Sequence, residues 1–389
     1  MHFNFPRTLG QEDAKKRLSA ALASGRFPHA LLVHGEPGLG QLALLLDLAQ
    51  ILSCEDTATK PCGTCFPCRA FDASALETLH HLIPIVKNDR NSGSDDDEEA
   101  GPESGQIDEL NESISLWHRH PYGYHVSEKA MVRTSQAREL LGRLRFAENE
   151  GRVRVVVLPW LESLNDNSAT ILLKTLEEPP ANVYFLIASD HRSGLMQTLL
   201  SRCLHLGLSP LSASDFRVAA ETLSQRAQKP FAARLLPFAE GSPGLYVELL
   251  ENDGEELLEE ALRFLSATSD WRVFADYAAE TSPGAEGMER TTRLLLFLLR
   301  MVRAYQLLKA TTPANAGTRI DTAEALEQAG WDDSLAAYLG AIDAVADLQA
   351  FAAFLESAHR AVREYSKPSI ALVGLFLEYE GKANRSVPA

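Results

Sequence analysis

The stretch "HALLVHGEPGLGQLALLLDLAQILSC", residues 29–54, combines three segments of different character. Residues 29–35 form an apolar run that predicts a buried strand, and residues 42–54 place apolar side chains at helical spacing. The turn between them carries Gly35 and Gly40 at the separation of the phosphate-binding loop GxxxxGK[ST]. Strand, glycine loop and helix follow in the order that such a loop requires, although two glycines alone also suit an ordinary tight turn.

The glycine loop lacks the side chains that carry phosphate chemistry. A working loop continues with Lys and then Ser or Thr, whereas this chain has Gln41 and Leu42. The apolar run 153–158 should end in an acidic pair that holds Mg²⁺, but Pro159 and Trp160 follow it. The sequence therefore predicts a nucleotide-binding loop that keeps its turn and has lost its activity. Its candidate residues are Gly35, Gly38, Gly40, Gln41 and Leu42.

The segments after this loop predict an α/β domain. Residues 153–158 and 183–189 are near-continuous apolar runs, which are typical of strands buried on both faces of a parallel sheet. Residues 135–147 and 165–176 each carry an apolar stripe at helical spacing. This alternation favours a parallel sheet covered by helices on both faces. From residue 254 onward, nearly every segment predicts an amphipathic helix.

Length and charge limit the possible functions. A chain of 389 residues predicts two or three domains, and its formal net charge of -16 argues against wrapping nucleic acid by charge alone. The first residues lack the basic flank and apolar run of a signal peptide. The most apolar run, residues 294–302, is short and contains Arg300, so it predicts a buried helix and not a membrane span. We expect a cytoplasmic protein.

Four of the five cysteines lie close together, with the spacing C-x7-C-x2-C-x2-C. Four thiolates around one Zn²⁺ make a closed, structural site with no position left for a catalytic water. Free thiols, a disulfide pair or a nucleic-acid-binding finger are the alternatives. A cytosolic chain disfavours the disulfide, and the few basic residues nearby disfavour the finger. The predicted zinc ligands are Cys54, Cys62, Cys65 and Cys68.

Residues 87–127 are polar, with the acidic run "NDRNSGSDDDEEAGPESGQ" at their centre. Such a segment has too little apolar surface to form a core, so its composition predicts a disordered insertion. An acidic docking segment is the alternative interpretation.

Four motifs together resemble a known family: "GRFPHALLVHGEPGLG" (25–40), the cysteine cluster, "LLKTLEEPP" (172–180) and "SRC" (201–203). In this order they resemble bacterial DNA polymerase III clamp-loader subunits of the AAA+ superfamily, most strongly over residues 5–210. The resemblance implies a RecA-like AAA+ α/β domain followed by a helical lid and an all-α collar. The domain boundaries that we expect are 1–208 with a zinc module at 54–68, 209–252 and 253–389.

The departures from the family pattern decide which branch the chain resembles. The gamma/tau branch is the ATPase and keeps the lysine and the acidic pair, whereas the delta-prime branch has a degraded loop. Gln41, Leu42, Pro159 and Trp160 resemble the delta-prime pattern, and residues 241–249 offer no second sensor arginine. Two alternatives stay open. One is a gamma/tau-like ATPase that uses Gln41 and Glu162, and the other is an unrelated zinc-containing nucleic-acid-binding protein.

The resemblance also implies a role for Arg202 of the "SRC" motif. In the family this arginine is an arginine finger supplied in trans: it projects into the ATP site of the neighbouring subunit, for which a planar, always charged guanidinium is suited. Without the motif, Arg202 would be an ordinary surface arginine. The implied partners are gamma/tau and delta in a hetero-pentamer that places the sliding clamp on primed DNA. The resemblance implies that the chain itself neither hydrolyses ATP nor polymerises DNA.

Overall fold

The computed structural model describes residues 1–86, 104–123, 130–146, 152–190, 197–267, 285–311 and 348–364, with a few isolated positions between and after them. The chain divides into two compact units. One contains Met1–Ala219 and Ser242–Gly244, and the other contains Ala220–Gly241 and Leu245–Ala389. The finer division into three domains, with boundaries after residues 208 and 252, stays a prediction.

The first unit is built on a parallel sheet. The described strands are β1 (His2–Phe3), β2 (Ala30–His34), β3 (Thr59–Lys60), β4 (Leu79–His81), β5 (Ile85–Val86), β6 (Ala130–Met131), β7 (Arg154–Leu158), β8 (Val183–Ser189) and β9 (Leu204–Gly207). Five of them form the sheet in the order β4-β7-β8-β2-β9, and all of the neighbouring pairs are parallel. The predicted strands at 29–35, 153–158 and 183–189 are therefore confirmed as β2, β7 and β8.

The apolar runs of the central strands serve two cores at once. In β2, Leu31 and Val33 pack into the layer on one face of the sheet, while Ala30 and Leu32 pack into the layer on the other. Successive side chains of a strand point to opposite faces, so a strand buried on both faces needs apolar residues at every position. The predicted parallel sheet covered on both faces is confirmed.

Helices form both layers of the first unit and all of the long elements of the second. The described α-helices are α1 (Glu12–Ala23), α2 (Gln41–Ser53), α3 (Phe66–Asp72), α4 (Ser104–Arg119), α5 (Thr134–Phe146), α6 (Asp166–Glu177), α7 (Gln197–Leu200), α8 (Ala213–Ala227), α9 (Pro243–Glu251), α10 (Gly254–Ala267), α11 (Ala285–Thr311) and α12 (Leu348–Glu364). The helical character predicted after residue 254 is confirmed where the chain is described. In that part, no helix is both long and apolar enough to cross a membrane.

The insertion contains an ordered helix, α4, so the prediction of disorder is wrong for this part of residues 87–127. Trp117 of α4 is fully buried, and Ile114 packs against the same core as β2 and α2. The overlooked signal is the helical spacing of Ile107, Leu110, Ile114 and Trp117, which lie just after the acidic run. Trp117 and Ile114 supply apolar surface that the average composition of the insertion hides. The acidic centre, 89–103, lies outside the described residues.

Candidate functional site

The glycine loop connects β2 to α2 in a geometry that requires its glycines. Gly38 and Gly40 have φ angles of 80° and 99°, in the left-handed region that other residues rarely adopt. Gly40 is the residue immediately before α2. A side chain at Gly35 would lie 3.0 Å from the carbonyl oxygen of Leu208. The backbone of a phosphate-binding loop is therefore present.

Gln41 fills part of this loop with its own side chain. Its amide Nε2 donates to the carbonyl oxygen of Glu36 at 2.7 Å and lies 3.3 Å from that of Gly35. It also lies 3.3 Å from the carboxylate Oδ1 of Asp190, which follows β8. Only 5% of Gln41 is exposed. The neutral amide thus turns back onto the loop, at the position where a working loop extends a lysine towards the phosphates.

The other positions of the predicted metal site contain apolar or structural groups. Leu42 is buried in the core between α2 and the sheet. Trp160 packs its ring edge-on against Trp117, with 5.2 Å between ring centroids. The Glu162 carboxylate accepts a hydrogen bond from the backbone N–H of Asp190 at 3.1 Å. Leu42 and Trp160 offer no oxygen ligand for Mg²⁺, and the Glu162 carboxylate is engaged with a backbone N–H.

Three residues outside the motif cover the loop, and the sequence did not indicate them. The phenol ring of Tyr122, just after α4, is the nearest group to Gly40, and a side chain there would lie 3.0 Å from it. The Tyr122 hydroxyl accepts a hydrogen bond from the backbone N–H of Leu9 at 2.7 Å. Gly244 donates its N–H to the carbonyl oxygen of Gly38 at 2.8 Å, and the Ser242 hydroxyl donates to that of Pro37 at 3.0 Å.

A buried histidine of the insertion helix α4, His118, faces the half-buried His81 of β4. His118 Nδ1 lies 3.1 Å from the carbonyl oxygen of Phe71, and its Nε2 lies 3.4 Å from His81 Nε2. A carbonyl only accepts, so Nδ1 of His118 carries the proton, and the neutral Nε2 accepts from His81. Burial lowers the pKa of His118 to about 4 and that of His81 to about 3. Both rings are therefore neutral at pH 7.

The four predicted zinc ligands come together. Their sulfur atoms all lie within 4.8 Å of one another, and those of Cys54 and Cys65 are 3.9 Å apart. Tetrahedral Zn–S bonds of about 2.3 Å place pairs of sulfurs about 3.8 Å apart, so the cluster has the spacing that zinc requires. Cys54 and Cys68 are buried, whereas Cys62 and Cys65 are half-buried. The cluster could hold one zinc ion.

The backbone around the cluster favours thiolates. The N–H of Cys65 donates to the sulfur of Cys62 at 3.3 Å, and the N–H of Cys62 donates to that of Cys54 at 3.4 Å. The first of these bonds is the largest cause that lowers the pKa of Cys62 to about 6. Burial instead raises the pKa of Cys54 and Cys68, so the two inner thiols need a cation to ionise. Cys203, predicted to be a buried thiol, is half-buried, and burial raises its pKa to about 11.

Arg202 lies in the turn between α7 and β9. Its NH1 group donates to the carbonyl oxygen of Thr198 at 2.6 Å and to the Ser201 hydroxyl at 3.3 Å. Its NH2 group forms an ion pair with the carboxylate of Glu177, the last residue of α6. The Arg202 side chain is 31% exposed, so it is accessible at the surface while it is held on two sides.

The parallel sheet separates Arg202 from the glycine loop of its own chain. Leu204 of β9 pairs with Leu31 of β2, so Arg202 lies level with the residues just before β2. The loop begins at the opposite end of β2, at Gly35. Because a strand rises about 3.3 Å per residue, roughly 20 Å separates the two along the strand direction. The structure does not bring Arg202 and the loop into one site.

The fold and the loop together define a P-loop-like α/β protein whose loop lacks the lysine and hydroxyl of an active site. A family model described as "DNA polymerase III, delta subunit" matches residues 10–212, more than half of the chain. The chain therefore belongs to this family of DNA polymerase III clamp-loader AAA+ subunits. The family resemblance predicted from the motifs is confirmed.

Individual relatives come from both branches of the family. The tau subunit of Escherichia coli K12 is 30% identical over 244 residues, which cover 61% of this chain and 31% of the relative. The delta-prime subunit of the same organism is 29% identical over 263 residues, which cover 66% of this chain and 65% of the relative. The chain thus spans less than two thirds of either relative. A solved gamma subunit-related protein of Thermotoga maritima is 12% identical, with a TM-score of 0.38 and coverage of 94% and 99% of the two chains.

Proposed function

We propose that this clamp-loader subunit acts as a non-hydrolysing stator of the delta-prime type. It works in the cytoplasm, in a hetero-pentamer with gamma/tau and delta, which places the sliding clamp on primed DNA. Its own contribution is Arg202, which completes the ATP site of the neighbouring subunit. The chain itself neither hydrolyses ATP nor polymerises DNA.

The filled glycine loop supports the absence of hydrolysis. Gln41 donates to the carbonyl oxygen of Glu36 inside the loop, where a phosphate would need N–H donors and a lysine. Trp160 packs on Trp117 where the acidic pair would bind Mg²⁺. Neither Gln41 nor Trp160 carries a positive charge or a ligand for Mg²⁺, so at these two positions the charge that stabilises a transferring phosphoryl group is missing.

The single observation that carries the proposal is the position of Arg202. Along the strand direction, Arg202 lies roughly 20 Å from its own loop, at the opposite ends of the strands, so it cannot complete the site of its own chain. It is nevertheless accessible, and its guanidinium is ordered by Thr198 and Glu177. An arginine held in this way suits a phosphate that a second subunit presents.

We also propose that the cysteine cluster holds a structural Zn²⁺. Four thiolates leave no open position, so the ion would stabilise the 54–68 module and take no part in catalysis. The 3.9 Å distance between the sulfurs of Cys54 and Cys65 supports this assignment.

The test is steady-state ATP hydrolysis by the assembly with gamma/tau and delta, measured with and without this chain. The difference between the two rates is the chain-dependent rate. We expect Arg202→Ala to lower the chain-dependent kcat by at least about tenfold, because a finger supplied in trans is worth far more than this in related phosphoryl transfer. The KM for ATP and the assembly itself should change little, since ATP binds to the neighbouring subunit.

Arg143→Ala is the matched control, because Arg143 is also an exposed arginine in an ion pair, here with Glu139. If Arg202→Ala and Arg143→Ala give the same chain-dependent rate, the proposed role of Arg202 as an arginine finger is refuted. ATP turnover by the isolated chain that survives Arg202→Ala would instead favour the gamma/tau-like alternative.

A further inference from the structure

The guanidinium of Arg202 has one partner from a distant part of the sequence among the described residues. Thr198 and Ser201 belong to the same short turn as Arg202, so their contacts are local. Glu177 comes from α6, 25 residues earlier. Its carboxylate binds NH2, so the guanidinium is held from both sides.

Glu177 is attached to a rigid part of the first unit. It is the last residue of α6, whose inner face is buried against the sheet through Ala169, Leu172 and Leu176. Glu178 follows as the C-terminal cap, and two prolines prevent the helix from continuing. The carboxylate is therefore fixed by a packed helix, whereas Arg202 lies in a turn after the four-residue helix α7.

The contacts of Arg202 leave part of the guanidinium available. A guanidinium has five N–H donors. Contacts with Thr198, Ser201 and Glu177 engage three of them within the described part of the chain, so two remain. Two donors suffice for a bidentate contact with a phosphate. The ion pair with Glu177 therefore orients the guanidinium and leaves two N–H donors for a phosphate.

We propose that Glu177 is a positioning residue that aims Arg202 at the phosphate of the neighbouring subunit's nucleotide. This inference rests on the proposed function of Arg202 and adds a second residue to it. Glu177 does not touch the nucleotide. It restricts the rotamers of a long side chain before the subunits meet, so that less conformational entropy is lost when the phosphate is bound.

An ion pair as exposed as this one contributes little to folding stability. Removing it should therefore change the orientation of the guanidinium and leave the fold intact. A small misplacement of a catalytic group is enough to slow a reaction severalfold or more. Glutamine at this position keeps the side-chain length and one acceptor oxygen, whereas alanine removes the contact.

The test measures the chain-dependent kcat and the KM for ATP in the assembly for Glu177→Ala, Glu177→Gln and Glu178→Ala. We expect Glu177→Ala to lower kcat by about three- to tenfold with an unchanged KM. Glu177→Gln should stay within about twofold of the parent, because the amide oxygen still accepts from NH2. Glu178→Ala is the matched control, since Glu178 is the exposed neighbour, and it should also stay within about twofold.

Arg202→Ala and the double variant Glu177→Ala/Arg202→Ala are measured in the same assembly. If Glu177 acts only through Arg202, the double variant is no slower than Arg202→Ala alone. A loss in Arg202→Ala without a loss in Glu177→Ala refutes the positioning role and leaves the proposed function standing. An unchanged rate in Arg202→Ala refutes the proposed function itself. A faster Glu177→Ala would mean that the carboxylate holds the finger back, which also overturns the inference.

Discussion

Lowering the pH should destabilise the first unit through the buried His118 and the half-buried His81 that faces it. In the folded chain, burial lowers the pKa of His118 from 6.5 to about 4. The unfolded chain therefore binds a proton at this residue below about pH 6.5, and the folded chain does not bind it until about pH 4. The free energy of unfolding must fall as the pH falls through this window. Protonation of His118 would also place two N–H donors face to face, 3.4 Å from His81.

The expected magnitude follows from the two pKa values of His118. At pH 5 the unfolded histidine gains about 2 kcal/mol from protonation, and the folded one gains almost nothing. His118 is 8% exposed, so solvent screening reduces this figure only slightly. His81 adds a contribution of similar size, because its pKa is lowered to about 3 by burial and by the facing His118. Between pH 7 and pH 5 the two histidines together should lower the free energy of unfolding by about 4 kcal/mol.

The assay is urea unfolding at pH 7 and pH 5, followed by the fluorescence of Trp117 and Trp160, which lie beside the histidines. We expect His118→Gln to reduce the loss of stability between the two pH values by about 2 kcal/mol or more, because glutamine does not titrate. His120→Gln is the matched control, since His120 is an exposed neighbour. If the two variants lose the same stability between pH 7 and pH 5, the reasoning from burial is wrong.

Two further predictions concern the cysteine cluster and the glycine loop. We expect elemental analysis to find about one zinc ion per chain in the parent and in Cys203→Ser, and to find it lost in Cys62→Ser, which removes one of the four proposed ligands. Zinc retained in Cys62→Ser would contradict the assignment. Gly40→Ala should lower the free energy of unfolding by about 1–3 kcal/mol, because its φ of 99° is strained for alanine and Tyr122 lies 3.0 Å away. Gly142 lies in α5, and a Cβ atom added there would have nothing within 4 Å, so Gly142→Ala should raise the free energy of unfolding by up to about 1 kcal/mol. Equal effects of the two substitutions would refute this account.

Much of the local structure was predictable because local patterns encode it. The apolar runs of β2, β7 and β8 and the stripe of α6 have the periodicity of their elements. The cysteine spacing likewise predicted which sulfurs converge, since CxxC turns act over a few residues. The insertion was the main error, because an average over 87–127 concealed the four apolar positions of α4.

The contacts around the loop could not be predicted from the sequence. Tyr122 binds the backbone N–H of Leu9, 113 residues away, and Trp117 packs on Trp160 across the same core. No periodicity or motif relates such positions, because their proximity follows from how whole elements pack. The same holds for the turn of the Gln41 amide towards Asp190, which depends on the neighbouring strand β8.

The sequence by itself determined the strand–loop–helix unit, the cluster of four cysteines and the absence of Lys, Ser or Thr at positions 41 and 42. These are properties of residue type and short spacing. Only the tertiary structure decided where Arg202 lies. The register of β9 on β2 places Arg202 at the end of the strands opposite its own loop. Helix α6 ends where the Glu177 carboxylate can bind the Arg202 guanidinium. Strand order and register arise from packing between distant segments. The sequence motif therefore identified Arg202 as the residue that the proposed function requires, and only the fold determined its position and orientation.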